Sequence, residues 1–356
     1  MFFELGVRSD KEKDKKNVKR SVKERRFRQS FTTRKLATIF EKKISNKDNA
    51  GIDGIHAHDL DPKESIPIIR KKVIAGTYHL TPYAEIQIPK GRGKLPRIIA
   101  LPTMRDQLTL SALKDYLHKT FPKAVNRKLP NSYIFELNKK IQEIKINTEA
   151  YGFIHTDITG FYDNIDREKL MNFVRSTINT PQALKLIYRA IVNPVVPRNS
   201  KRSQRFRYYT PKGVPQGLAI SNVLADIYMS KFDESMEALS SYFIRYVDDI
   251  LLICPMSNLS QVLERLHFEV AKLGLDLNDE KTKFGVIRKD SFNFLGYKIK
   301  SNGFVSVRES SINRKISSLA GIISSADHKK DKFLKLHNNV NKIAYKKVLI
   351  EDMSPL

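Results

Sequence analysis

Cysteine is almost missing from this chain. Cys254 stands alone inside an apolar run, so neither an internal disulfide nor a cysteine-rich zinc site can form, and a reducing compartment suits it. Long apolar runs are missing too: none approaches the ~20 residues of a spanning helix. The opening MFFELGVRSDKEKDKK lacks the basic-then-apolar order of a signal peptide. A soluble, cytoplasmic protein with no membrane partner is the expectation. No internal repeat or low-complexity tract is evident. Acidic charge is scarce: 38 Asp and Glu against 64 Lys and Arg leave a formal charge of +26. That excess goes beyond what solubility needs and points to a surface for phosphates, as in a ribosomal-type binder or an enzyme on nucleic acid. With 356 residues, 41% hydrophobic and 29% charged, the chain can build more than one packed core.

Patterning along the chain gives the elements. Residues 8–43 are rich in Lys and Arg and read as a solvated helix or basic arm. After a loop punctuated by Gly51 and Gly54, a helix is expected in which Ile66, Ile68, Ile69 and Val73 share a face. YAEIQIPKGRGKLPRIIALPT reads as a hairpin with a basic tip. Tyr151, Phe153 and Ile154 lead as a strand into Asp157, and Asp166 reads as the N-cap of a helix carrying Leu170, Val174 and Ile178. RNSKRSQRFRYYTPKG reads as a hairpin or flexible insertion. Ile220, Leu224, Ile227, Tyr228 and Phe232 recur at helical spacing, and residues 240–255 form a hairpin. An amphipathic helix over 259–274, strands and a turn through LDLNDEKTKFGVI and SFNFLGYKI, and a basic helical end follow. The order describes an α+β fold, an antiparallel sheet backed by helices.

Within that hairpin, SSYFIRYVDDILLICP sets Asp248 and Asp249 between two apolar runs. A single Asp is an ordinary turn residue. Two adjacent carboxylates repel, and beside apolar strands the repulsion is weakly screened unless a cation intervenes. Mg²⁺ suits such a place because it takes a few carboxylates with phosphate and water oxygens. Asp157 ends an apolar strand able to lie beside the hairpin, which would gather three acids at one sheet edge. Two Mg²⁺ ions held there would lower the pKa of an attacking 3′-hydroxyl and neutralise a triphosphate and its pyrophosphate leaving group.

HTDITGFYDNIDREKL, TPKGVPQGLAISNVLADIYM, RYVDDILLI, LGLDLNDEKTKF and FNFLGYKI resemble, in order and spacing, the palm motifs of bacterial reverse transcriptases of the group II intron and retron lineage. NAGIDGI and PKGRGKLPRIIALPTMRDQL resemble that family's finger motifs, so the likeness covers residues 49–300. The resemblance implies a right-hand polymerase with fingers, an antiparallel-sheet palm and a small helical thumb. Its expected divisions are a basic arm over 1–43, fingers over 44–150, a palm over 151–302 with a basic insertion at about 179–212, and a thumb over 303–356. It implies metal binding and catalysis by Asp157, Asp248 and Asp249, with the backbone of Ile158 beside the nucleotide phosphates. Lys90, Arg92, Lys94 and Arg97 would clamp the triphosphate. Tyr162 would lie under the sugar and exclude a 2′-hydroxyl, favouring dNTPs. Gln216 and Gly217 would pack close to the incoming nucleotide and template base, and Lys281 would protonate the leaving pyrophosphate. Leu295 and Gly296 would turn the primer grip. Template RNA, a DNA primer and product, and dNTPs are the implied partners.

Two features of retron enzymes, a Val-Thr-Gly tripeptide and an Asn-Ala-x-x-His motif, are missing. About fifty residues follow the primer-grip-like turn, room for a small helical thumb and not for an RNase H, integrase or endonuclease domain. On that domain content the chain resembles most the compact stand-alone reverse transcriptases associated with phage defence, many of which work with a dedicated structured RNA. Two alternatives stay open: a template-independent or protein-primed nucleotidyl transferase, and an RNA-binding maturase or scaffold with little polymerase activity.

Overall fold

A computed structural model describes residues 22–324, apart from Arg92, Lys94, Asn126, Arg127 and Asn147. Two of the four expected triphosphate-clamping cations, Arg92 and Lys94, therefore lie outside the described residues, as do the arm before residue 22 and the thumb after residue 324. The strands are β1 Tyr83–Ile88, β2 Arg97–Leu101, β3 Tyr151–Asp157, β4 Val195–Val196, β5 Tyr242–Tyr246, β6 Asp249–Pro255, β7 Lys283–Val286, β8 Phe292–Phe294, β9 Tyr297–Ile299 and β10 Val305–Val307. The chain divides into two compact units, each assembled from two segments.

The first unit comprises Met1–Asn126 and Gly160–Ser230. Its basic beginning is more than a solvated arm. Residues 22–30 and Thr33–Ile39 are helical, and Phe27, Phe31, Leu36 and Ile39 are buried, with the Phe27 and Phe31 ring centroids 5.0 Å apart. Charge covers the outer face while one apolar stripe anchors the helices. In the helix Pro62–Ile74, capped by Asp61, Ile66, Ile69 and Val73 are buried but Ile68 is exposed, because spacings of three and four define the stripe and Ile68 falls beside it. The expected hairpin is present: β1 pairs antiparallel with β2 from Ala84↔Leu101 to Ile88↔Arg97, and β4 adds to β1 in parallel. Asp166 caps the helix Arg167–Thr177 by accepting from the amides of Glu168 and Lys169, and Leu170, Val174 and Ile178 are buried behind it.

The second unit comprises Arg127–Thr159 and Lys231–Leu356. Its four-stranded sheet runs β5-β6-β3-β7, antiparallel throughout. Ile250 to Cys254 are consecutively buried on β6, as a central strand covered on both faces requires. One face carries Tyr133, Ile134, Leu137, Ile141 and Ile144 of the helix Pro130–Ile146, packed with Phe153, Leu251, Ile253 and residues of a small β10-β9-β8 sheet. Val262, Leu266 and Val270 are the buried apolar residues of the amphipathic helix Leu259–Lys272, with Glu269 also buried, and the helix packs along β3 and β6. The helix Glu309–Ser324 falls in the span expected for the thumb. No described helix is long and apolar enough to cross a membrane.

Candidate active site

Strand register brings the acids of the second unit together. Along β3 and β6 every pair from Tyr151↔Pro255 is antiparallel, and the last is Asp157↔Asp249. Two carboxylates directly opposite each other on a sheet repel, so each calls for a compensating partner. Asp248 is brought in by the β5–β6 turn: Tyr246 pairs with Asp249, leaving Val247 and Asp248 as the two-residue loop. The Ile158 amide donates to the Asp248 carbonyl at 3.1 Å, tying the turn to the chain just past Asp157. The backbone thus sets Asp157 opposite Asp249 and joins Ile158 to Asp248 beside them.

Each opposed acid meets a basic side chain. His155 Nε2 lies 2.7 Å from Asp249 Oδ1, and Lys281 Nζ lies 3.1 Å from Asp157 Oδ1. Lys281 reaches Asp157 because the segment after β3 is stitched to the turn that carries it. The Asn278 amide donates to the Asp157 carbonyl at 2.8 Å, Thr159 donates to Asp276 at 2.9 Å, and Ile158 bridges Leu277. His155 was not singled out in the sequence, although the signal was present: residues 155 and 157 share one face of a strand with a period of two. Its ring also stands edge-on to Phe294, centroids 5.7 Å apart.

The turn itself is strained. Val247 has φ of 63°, in the left-handed region, where a β-branched residue is a clear outlier. Its carbonyl accepts from Arg245 Nη1 at 3.0 Å, while Arg245 Nε and Nη2 reach the two carboxylate oxygens of Asp233, each at 2.6 Å. Arg245 is buried with its side chain 4% exposed, so this fork is a partly desolvated, bidentate pair that fixes the turn. Sequence reasoning passed over both residues. A lone Arg within YFIRYV gave the signal, because a charge in the middle of an apolar strand needs a partner.

Leu295 and Gly296 form the β8–β9 turn, with φ of 48° and 86°. In the first unit, Arg97 pairs with Ile88 at the start of β2 and is exposed, and Lys90 is exposed beyond β1. Tyr162 is largely buried, its hydroxyl donating to Asn222 Oδ1 at 2.8 Å, and its carbonyl accepts from the Val214 amide at 2.8 Å. This bond sets the VPQG turn beside Tyr162. The Ala100 amide on β2 donates to the Gln216 carbonyl at 2.7 Å. Gly217, with φ of 102°, lies so close to β2 that an added Cβ would meet Ile99 Cγ2 at 2.6 Å. The close approach that demands glycine here is to the protein's own strand.

Among the described residues no three His, Cys, Asp or Glu side chains are grouped so that they could hold a metal ion. The acids at the sheet end offer carboxylate oxygens, donors that suit Mg²⁺, whose sites are completed by substrate phosphates and water; His155 and Lys281 are the nitrogen partners now on those oxygens. Asp157, Asp248 and Asp249 are the residues that would hold it.

A sequence model described as reverse transcriptase (RNA-dependent DNA polymerase) matches residues 88–299. Protein YkfC of Escherichia coli is 23% identical over 299 residues, covering 70% of this chain and 75% of that protein. The group II intron-encoded protein LtrA of Lactococcus lactis is 26% identical over 212 residues, covering 58% of this chain and 34% of that protein. Telomerase from Candida tropicalis, solved in complex with a fragment of telomeric RNA, superimposes with a TM-score of 0.51 at 14% identity. That match covers 79% of this chain and 57% of the telomerase chain and shows a shared fold.

Proposed function

Because the chain belongs to the reverse transcriptase (RNA-dependent DNA polymerase) family, whose model spans residues 88–299, we propose that it extends a primer 3′-hydroxyl with dNTPs on an RNA template. The observation that carries this reading is the register pair Asp157↔Asp249 with Asp248 in the adjoining strained turn. Such an arrangement costs stability through repulsion and strain, and a purely structural hairpin has no use for it. Asp157, Asp248 and Asp249 would hold two Mg²⁺ ions, which when bound would activate the 3′-hydroxyl and neutralise the triphosphate. Ile158 offers its backbone beside the phosphates. Lys281, already within reach of Asp157, donates a proton to the leaving pyrophosphate. Lys90 and Arg97 bind the triphosphate, joined by Arg92 and Lys94 of the same hairpin. Tyr162 excludes a 2′-hydroxyl, Gln216 and Gly217 line the nucleotide and template base, and the Leu295–Gly296 turn grips the primer.

The template on this reading includes a dedicated structured RNA, and the biological role is anti-phage defence. The charge of +26 supports an RNA partner, and the sequence likeness to compact defence enzymes supports the role.

Primer extension on RNA with Mg²⁺, comparing dNTPs with NTPs and wild type with Asp248→Ala, tests the proposal. Incorporation of dNTPs by wild type alone is expected, with an unchanged melting temperature for the variant. Extension by Asp248→Ala at the wild-type rate refutes the site, and nucleotide addition that ignores the template sequence refutes the templated reaction.

A further inference from the structure

The segment between β4 and the VPQG turn has a composition that the polymerase chemistry leaves unused. Residues 169–225 contain no Asp or Glu at all, and the cations Arg198, Lys201, Arg202, Arg205, Arg207 and Lys212 fall close together within that stretch. Instead of the expected hairpin or flexible insertion, Arg202–Tyr208 form a 3₁₀-helix. Its ends are held to the first unit. β4 pairs with β1, Arg198 donates to the Ala50 carbonyl at 3.0 Å, and the buried Arg167 donates to the carbonyl of Thr210 and to that of Gly213, the latter at 2.7 Å.

On this fixed support three rings face water: Phe206 is 72% exposed, Tyr209 55% and Tyr208 39%. Among the described residues Lys201, Arg202, Arg205 and Arg207 form no ion pair with an acid. In a 3₁₀-helix residues three apart lie above one another. Arg202, Arg205 and Tyr208 therefore share one edge and Phe206 lies on the next, with the Arg207 guanidinium 5.9 Å from the Phe206 ring centroid. Stacking surfaces beside unneutralised cations suit bases and phosphates of one strand, whose base faces are open, and do not suit a duplex, whose faces are closed. Anchoring at both ends means that little ordering opposes binding.

We propose that residues 201–209 are a binding surface for an unpaired stretch of RNA; its being RNA and not DNA rests on the reverse transcriptase reading. The test uses the full chain and fluorescence anisotropy with an unstructured RNA of about twelve nucleotides, the DNA strand of the same sequence, and an RNA duplex. The ring variant Phe206→Ser/Tyr208→Ser is expected to weaken single-stranded RNA binding about fivefold or more and to leave duplex binding unchanged. The cation variant Arg202→Gln/Arg207→Gln is expected to reduce the log–log salt slope by about 1.4, roughly 0.7 for each phosphate no longer neutralised. Wild-type RNA affinity in both variants, or equal loss for strand and duplex, overturns the surface. A ring-dependent preference for DNA overturns the assignment to RNA. If a variant loses its melting transition, crosslinking wild type to 4-thiouridine RNA decides: adducts at Phe206–Tyr209 support the proposal, and adducts confined elsewhere refute it. Failure of the polymerase reading would appear separately, as absent extension with this binding intact.

Discussion

Arg245→Met removes one side of the fork that holds the Val247–Asp248 turn. The Arg245 side chain is 4% exposed and that of Asp233 22%, so the substitution leaves a poorly hydrated carboxylate and takes a donor from the Val247 carbonyl. Breaking a buried pair from one side costs about 3–5 kcal/mol, and the partial exposure of Asp233 places this case near ~3. At about 2–4 °C per kcal/mol, the melting temperature should fall by on the order of 6–12 °C. Adding Asp233→Leu removes the stranded charge, and an apolar pair of similar volume should recover stability to within about 1 kcal/mol of wild type. Activity should not follow. Val247 is held at a φ of 63°, a conformation costing of order 1–3 kcal/mol, and without Arg245 on its carbonyl the turn relaxes and displaces Asp248. Thermal melting and single-nucleotide incorporation on all four members of the cycle separate the two effects. A double variant with wild-type melting and wild-type kcat refutes the claim that Arg245 positions the turn, and a single variant melting as wild type refutes the weight given to the buried pair.

Two further outcomes follow from the geometry. Gly217→Ala places a Cβ 2.6 Å from Ile99 Cγ2 at a φ of 102°, so it should destabilise by about 1–3 kcal/mol and raise the KM for dNTP; Ile99→Ala in the same chain should recover part of the stability, and no recovery would contradict the steric cause. Lys281→Gln breaks an ion pair whose lysine is 59% exposed, so melting should change by less than about 1 kcal/mol while kcat drops by about 10²-fold as proton donation is lost; an unchanged kcat would reduce Lys281 to a surface counterion.

What the sequence disclosed was whatever local periodicity or turn chemistry encodes. The β1–β2 and β5–β6 hairpins, the cap at Asp166 and the stripe Leu170–Val174–Ile178 all depend on neighbours within a few residues, and all are present. The convergence of Asp157 with Asp249 was legible because each ends an apolar run, and strands buried together tend to end together. Other features depend on partners far along the chain. Nothing local shows that Gly217 must lie against β2, or that Arg245 is buried on Asp233. The 3₁₀-helix at 202–208 escaped because it carries no buried residue, and a helix without an apolar stripe leaves no periodic trace. Val247 is the sharpest case: valine argues against a positive φ, and only the tertiary frame enforces one.

That last conflict is informative about how the site is built. A hairpin free to choose its turn would place glycine or asparagine at the first loop position, where φ is positive. Here β6 is covered on both faces and its register fixes Asp249 opposite Asp157, so the strands cannot slip to relieve the turn. The Ile158 amide on the Asp248 carbonyl and Arg245 on the Val247 carbonyl then hold both loop residues from either side. Strain, like-charge repulsion and a partly desolvated ion pair are each unfavourable alone, and they coincide within a few residues of one another. The buried apolar layers above and below the sheet, from Tyr133–Ile144 on one face and Val262–Val270 on the other, supply the stability that sustains them. On the proposed reading, carboxylates fixed by this frame would keep bound cations in place, and those cations, not the acids, would face the negative charge that develops on the phosphates.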